Sequence, residues 1–453
     1  MQRIRGRWRA LWALLAILCV QGGTEARQRE PNSSYAERRA RLRAQVDGPV
    51  ILFGYTGNED ASPLYLFAQE HNFYYLTGHN EEGAALVLIP ERGNGAAVEG
   101  PREILYLPAR NPRRERWDGA RLAAEDAGLA ERLGIASVQP FSALKEEVGR
   151  LAKKFTHFYT ILPGTNDRGY PHAANWLKWL QQEAPGVNFR EVRGLLGAMR
   201  QIKSPSELEL ITRATELTVD AHLEAWRILR PGMFEYEVAA RMRYIYQRGG
   251  CERDAYAPIV GTGFNSTVLH YNKVDARIAE GDLVLMDVGC EFSGYATDIT
   301  RTVPASGKFT PRHREIYDIV LAAAEAAIAA VKPGMTLGGS GENSLHRIAL
   351  GVINSRGKDL KGESLGKYFI HGLGHHVGLH VHDAGDPLRP LEPGMVITIE
   401  PGIYIPEEKI GVRIEEMVLV TANGAKVLSA RLPRRAEEIE KFMAEARRKP
   451  TRD

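Results

Sequence analysis

Four carboxylates in the second half of the chain sit inside apolar runs where strands are expected. DLVLMDVGCEF (Asp282–Phe292) leads into SGYATDITRT (Ser293–Thr302), and the Ser-Gly pair between them reads as a hairpin turn. With the turn centred between Phe292 and Ser293, Asp287 and Asp298 face each other across the strands. VITIEPGIYI (Val396–Ile405) and GVRIEEMVLV (Gly411–Val420) repeat the plan around a polar turn at Pro406–Lys409, setting Glu400 against Glu415. Directly opposed side chains lie roughly 4.5 to 5.5 Å apart at Cβ, so two like charges there repel unless a cation or proton intervenes. Carboxylates are also disfavoured in strand interiors and rarely buried without a partner. Two matching pairs weigh against the simpler reading, in which each pair faces solvent or meets Arg301 or Arg413.

Between the hairpins lies HGLGHHVGLHVHD (His371–Asp383), with His371, His375, His376, His380 and His382. So dense a run indicates metal binding or proton transfer, although the spacing is not that of the HExxH zinc proteases. Four carboxylates and an imidazole form an oxygen-rich donor set suited to two divalent ions, with Mn, Co, Fe or Zn fitting better than copper or an iron-sulfur cluster. Two such ions roughly 3.5 to 4 Å apart can share bridging carboxylates and hold a hydroxide, which is hydrolytic chemistry.

These residues need a scaffold, and the chain offers one in two parts. MRQIKSPSELELI (Met199–Ile211) marks a boundary: Ser204 is a good N-cap, Pro205 fits the first helical turn, and Glu207 completes a capping box. Beyond it, helical segments at Leu210–Arg230 and His313–Val331 each end in a Pro-Gly-Met triplet, and a β-rich hairpin follows each, which suggests an internal duplication. Before it, Pro49–Gly57, Gly83–Pro90 and Glu103–Ala109 read as strands, and Ala120–Leu133 and Ala173–Glu183 as helices, giving an α/β domain with a mixed sheet.

The first 26 residues differ from the rest. Arg3, Arg5, Arg7 and Arg9 precede an apolar run, Ala10–Val20, that ends in small residues and Thr24-Glu25-Ala26. The run is too short for the roughly 20 residues that span a bilayer, so it reads as a cleaved secretory signal and the mature protein as periplasmic or secreted, without a membrane anchor. The whole chain of 453 residues carries 59 Lys+Arg against 56 Asp+Glu. Removing the leader takes four Arg and one Glu, leaving 55 of each sign (59 minus 4, 56 minus 1), a balance that argues against nucleic acid as a partner. The leader also carries Cys19; the remaining Cys251 and Cys290 cannot form a disulfide scaffold, and their pairing stays open.

In order, LHY (Leu269–Tyr271), DVGCEFSGYATDITRT, HGLGHHVGLHVHD, LEPGMVITIEPGIY (Leu391–Tyr404) and GVRIEE resemble the pita-bread metallopeptidases, the family of aminopeptidase P, prolidase and methionine aminopeptidase, with metal-free creatinase as a relative. The resemblance implies an α/β N-terminal domain followed by an α+β pita-bread catalytic domain with a pseudo-twofold repeat. The expected division is 1–26 signal, 27–195 N-terminal domain, 200–440 catalytic domain and 441–453 charged tail. By resemblance Asp287, Asp298, His375, Glu400 and Glu415 are metal ligands, with Asp298 and Glu415 bridging two divalent ions, Mn first among those that fit. Glu400 is also the acid/base, His270, His371 and His382 serve substrate and oxyanion, and Arg413 orients a ligand carboxylate, while His376 and His380 match no family role. NFYYLTG (Asn72–Gly78) resembles the N-terminal domain of aminopeptidase P and prolidase, which are specialised for bonds preceding proline, whose nitrogen carries no N–H. Removal of residue one from Xaa-Pro peptides is the favoured activity; cleavage of Xaa-Pro dipeptides, and a metal-free peptide-binding module, are the alternatives. Relatives of this kind form dimers or tetramers, so a homo-oligomer is expected.

Overall fold

The computed structural model describes residues 29–59, 66–91, 99–164 and 172–448; the expected signal and Cys19 lie outside them. After helix α1 (Asn32–Gln45), the N-terminal part builds one sheet from β1 (Val50–Phe53), β2 (Ala85–Leu88), β3 (Glu103–Leu107), β4 (Ser137–Pro140), β5 (His157–Thr160) and β6 (Asn188–Glu191), ordered β4-β3-β2-β1-β5-β6. The β1–β2 and β2–β3 pairs are antiparallel and the other three parallel, which is the mixed sheet expected. VILF and ALVL are buried along their whole length because the sheet is covered on both faces.

Helices α2 (His71–Thr77), α3 (Pro112–Asp118), α4 (Leu129–Leu133), α5 (Leu144–Ala152) and α6 (His172–Glu183) lie between these strands, and α7 (Arg193–Gln201) closes the part. The helix expected over 120–133 shrinks to α4. Asp126 accepts the Ala123 N–H through its side chain and pairs with Arg110, which favours a turn there over a helix. The boundary expected between 195 and 200 falls inside α7, and residues 202–204 separate that helix from the next.

The second part starts at α8 (Pro205–Ile228) with the capping box in place: Glu207 N–H to Ser204 Oγ at 3.3 Å and Ser204 N–H to Glu207 Oε2 at 2.9 Å. Helix α9 (Glu235–Arg248) follows, then β7 (Arg253–Asp254), β8 (Ile259–Thr262), β9 (Leu283–Val288), β10 (Cys290–Phe292), β11 (Tyr295–Ala296) and β12 (Ile299–Pro304). The plan then recurs with α10 (Pro311–Ala330), α11 (Leu345–Ser355), β13 (Val396–Ile399), β14 (Gly402–Ile405), β15 (Ile410–Arg413), β16 (Glu416–Thr421) and β17 (Gly424–Val427).

Backbone bonding makes the repeat concrete. Gly232 and Gly334, the glycines of the two Pro-Gly-Met triplets, both have positive φ. Their N–H groups donate to Ile278 O (2.8 Å) and Leu391 O (2.9 Å), and these acceptors stand five residues before β9, which holds Asp287, and β13, which leads into Glu400. Asp287 is nine residues after Ile278, and Glu400 nine after Leu391. Cys251 and Cys290 form a disulfide that ties the end of α9 to β10.

The charged tail expected from 441 is instead the second half of α12 (Ala436–Arg448) up to the last described residue. Ile439 and Met443 are buried, and Phe442 meets Trp226 edge-on at 5.8 Å, so this helix packs against the second part. Its charges occupy the outer face of an amphipathic helix, a pattern that composition alone does not separate from a tail.

Candidate metal centre

The first hairpin differs from expectation in register. Phe292 pairs with Tyr295 around a two-residue turn, Ser293-Gly294, in which both residues have positive φ. This is the primed geometry that matches strand twist. Asp287 therefore pairs with Thr300, not with Asp298. A shift of two residues keeps parity, so both aspartates still point to one face. Asp298 sits where the ladder is interrupted opposite Gly289, at which a Cβ would lie 1.8 Å from Thr297 O. In the second hairpin the register is the expected one, Ile399 with Glu416 and Gly402 with Arg413. The ladder breaks at Glu400-Pro401 and Ile414-Glu415, where Pro401 has no N–H to give. The Glu415 N–H crosses to Thr300 O instead (3.1 Å), joining the two halves.

These breaks let the side chains converge. Ligand atoms of Asp298, His375 and Glu415 lie within 4.8 Å of one another. His375 Nε2 is 3.3 Å from Asp298 Oδ2 and 3.5 Å from Glu400 Oε1. Its Nδ1–H donates to His376 O at 3.2 Å, so Nε2 is the ring atom turned to the carboxylates: it carries a proton toward Asp298 here and is the atom that would ligate an ion in its place. Asp287 joins through Tyr256, whose hydroxyl lies 2.5 Å from Asp287 Oδ1 and also contacts Asp298 Oδ1. Arg413 pairs with Asp287, donates from Nε to Thr300 Oγ1 (3.1 Å), and donates from Nη1 to the Tyr404 hydroxyl (2.9 Å). Thr300 in turn donates to Glu415 Oε2 at 2.6 Å. Arg301 is turned away, buried against Glu416.

Burial and mutual repulsion raise the pKa of Glu415 well above the usual carboxylate range and raise Glu400 and Asp287 as well, with Arg413 opposing. At Asp298 burial also pushes upward, but hydrogen bonding and attraction from His375 outweigh it and lower the pKa. Burial acts to lower His375, yet Asp298 and Glu400 raise it. Four carboxylates thus share one guanidinium and one imidazole, an excess of negative charge and oxygen donors that fits divalent cations.

The remaining histidines separate by place. Arg413 can only donate, so the Tyr404 hydroxyl accepts from it and gives its own hydrogen to His371 Nε2 (2.8 Å). His371 Nδ1–H then donates to Gly372 O at 2.7 Å. The ring is held neutral, its pKa lowered to about 4 by burial and Arg413. The His382 ring stands edge-on to His375 at 4.2 Å. His270, His371 and His382 all line a cavity of about 630 Å³ whose floor is the carboxylate cluster. His380 lines it too, although it matched no role; His376 is buried outside it. Tyr256, Thr300, Thr398 and Tyr404 were not singled out from sequence. Thr300 and Thr398 stand two residues from Asp298 and Glu400, the spacing that shares a strand face, and Tyr404 lies within a quoted motif. Nothing around Tyr256 signalled it.

Residues 209–422 match metallopeptidase family M24, and residues 35–159 match the aminopeptidase P N-terminal domain. A Xaa-Pro aminopeptidase of Haemophilus influenzae is 36% identical over 439 residues, covering 91% of this chain and 97% of the relative. The chain belongs to metallopeptidase family M24. The structure of Pseudomonas aeruginosa aminopeptidase PepP aligns with a TM-score of 0.81 at 34% identity, over 93% of this chain and 100% of that one. A Xaa-Pro dipeptidase of Pyrococcus furiosus is 33% identical over 378 residues, 82% of this chain and 94% of the relative. As an M24 chain it has the pita-bread fold in its second part, and the family implies divalent metal.

Proposed function

We propose that this M24 chain is an exported Xaa-Pro aminopeptidase that uses two divalent ions, Mn foremost, held by Asp287, Asp298, His375, Glu400 and Glu415. The observation that carries the reading is the carboxylate cluster with His375 at the floor of a cavity walled by four further histidines. Bound divalent ions supply a Lewis acid and a source of hydroxide at neutral pH. Glu400, oriented by the Thr398 hydroxyl (3.1 Å to Oε1), takes a proton from water and returns it to the leaving proline nitrogen. His382 hydrogen-bonds the substrate as negative charge develops on its carbonyl oxygen, while His371, whose two nitrogens are engaged by Tyr404 and Gly372, walls the substrate beside it.

The preference for longer peptides rests on charge. A dipeptidase must recognise a free carboxylate close to the scissile bond. Among the described residues lining the cavity, Arg413 is the only Lys or Arg, and it is committed to Asp287, Thr300 and Tyr404. Purified protein with Mn or Co is expected to release alanine from Ala-Pro-Ala in preference to splitting Ala-Pro. Turnover of the dipeptide alone overturns the aminopeptidase reading. A metal-free protein inactive on both supports the peptide-binding module.

Export rests on the apolar leader, and the Cys251–Cys290 disulfide suits an oxidising compartment. Sequencing the mature N-terminus is expected to begin at Arg27; retention of Met1 counts against export.

A further inference from the structure

Arg200, at the junction between the two parts, is buried and does not reach the metal centre. We propose that Arg200, set by Asn72 of the N-terminal part, is a positioning residue for His382. The inference rests on the peptidase reading, in which His382 faces the substrate.

The segment His380–Asp383 has its anchor in Asp383. Its carboxylate forms an ion pair with Arg200 through one oxygen and lies 3.3 Å from Lys203 Nζ through the other, with the Asp383 and Lys203 side chains almost wholly enclosed. The Asp383 N–H donates to His376 O at 2.8 Å, closing the loop. The loop passes so near this carboxylate that a Cβ at Gly378 would lie 2.1 Å from Asp383 Oδ2. His382 is therefore one residue from a buried, doubly paired anion, and its ring direction follows how that anion is seated.

The N-terminal part reaches the same segment twice from α2. Asn72 Oδ1 accepts Arg200 Nη1–H at 2.8 Å, while Asn72 Nδ2–H donates to Glu70 Oε1 at 2.8 Å. Glu70 Oε2 caps α2 by accepting the Phe73 N–H at 2.7 Å, so Asn72 is fixed on both sides. Next to it, the His71 ring meets His380 edge-on at 5.3 Å, and His380 lies 6.5 Å from His382. Neither α2 nor Arg200 lines the cavity itself apart from this chain of contacts. The N-terminal part thus acts on the site by holding a loop.

A double-mutant cycle in the full-length protein with Mn tests this, with Ala-Pro-Ala as substrate and metal content measured alongside. Asn72→Ala and Arg200→Lys are each expected to lower kcat about tenfold at wild-type metal content, and by less than about twofold when placed in His382→Ala, because coupled residues are non-additive. Equal fold losses in both backgrounds, or single variants with wild-type kcat, overturn the proposal. Asn72→Ala leaves the Arg200–Asp383 pair intact and carries the cycle where Arg200→Lys does not fold. Failure of the wild type to release alanine counts against the peptidase reading alone. Positioning is then read from the His382 imidazole resonance of zinc-loaded, ¹⁵N-histidine-labelled protein, assigned by its loss in His382→Ala. A shift in Asn72→Ala supports the proposal; an unchanged signal overturns it.

Discussion

Asp298→Ala is expected to remove bound metal and activity together. Asp298 is central to the cluster, with Oδ2 toward His375 and Oδ1 toward the Tyr256 hydroxyl that also meets Asp287, and it belongs to the trio within 4.8 Å. Metal that polarises a carbonyl stabilises the transition state by several kcal/mol, so its loss lowers kcat by about 10³-fold or more. Asp298→Asn keeps the volume but not the charge and should fail similarly, which separates ligand loss from a packing defect. Metal analysis and alanine release measured on the same preparations check this. A variant with full turnover removes Asp298 from the proposed ligand set.

The largest effect on stability is expected at Arg301. Arg301 and Glu416 are both fully enclosed, and the guanidinium also donates to the carbonyls of Thr300 (3.0 Å), Glu415 (2.8 Å), Leu432 (3.2 Å) and Pro433 (3.1 Å). Arg301→Met leaves the buried Glu416 carboxylate with only the Ser429 hydroxyl and, at 3.7 Å, Arg434, a change that costs about 3 kcal/mol. In a domain of this size the melting temperature falls by about 10 °C. Arg431→Ala, which removes an exposed pair with Asp220, should cost less than about 1 kcal/mol. Thermal unfolding of the two variants side by side checks the contrast, and equal shifts exclude the buried pair as a main support.

What was legible in the sequence was whatever is local or periodic. Ser204, Pro205 and Glu207 specify a helix start through bonds made within four residues, and the structure contains that capping box. Glu400 and Glu415 were placed opposite by counting outward from a turn, and the ladders on either side keep that register. The first hairpin defeated the same count because the choice between turn centres depends on which residues tolerate positive φ, and Ser293 adopts it. Tyr256 was invisible for a different reason: its hydroxyl reaches residues 31 and 42 positions away, and no neighbour of its own announces the contact. The helix expected at 120–128 failed where a side chain, Asp126, competed successfully for backbone N–H groups. Arg200 and Asp383, 183 positions apart, meet only because the two parts pack together.

The crossing bond from Glu415 N–H to Thr300 O has a thermodynamic counterpart. Each half of the repeat contributes two of the four carboxylates, so neither half alone presents the donor set. A divalent ion bound there engages only the docked pair of halves and has no equivalent site on the unfolded chain. By mass action such an ion adds RT ln(1 + [ion]/Kd) to the free energy of unfolding, about 2.7 kcal/mol at a hundred times Kd. The seam between the halves is thereby a reporter of free metal, and the chain's resistance to unfolding follows the ion supply of the compartment it occupies.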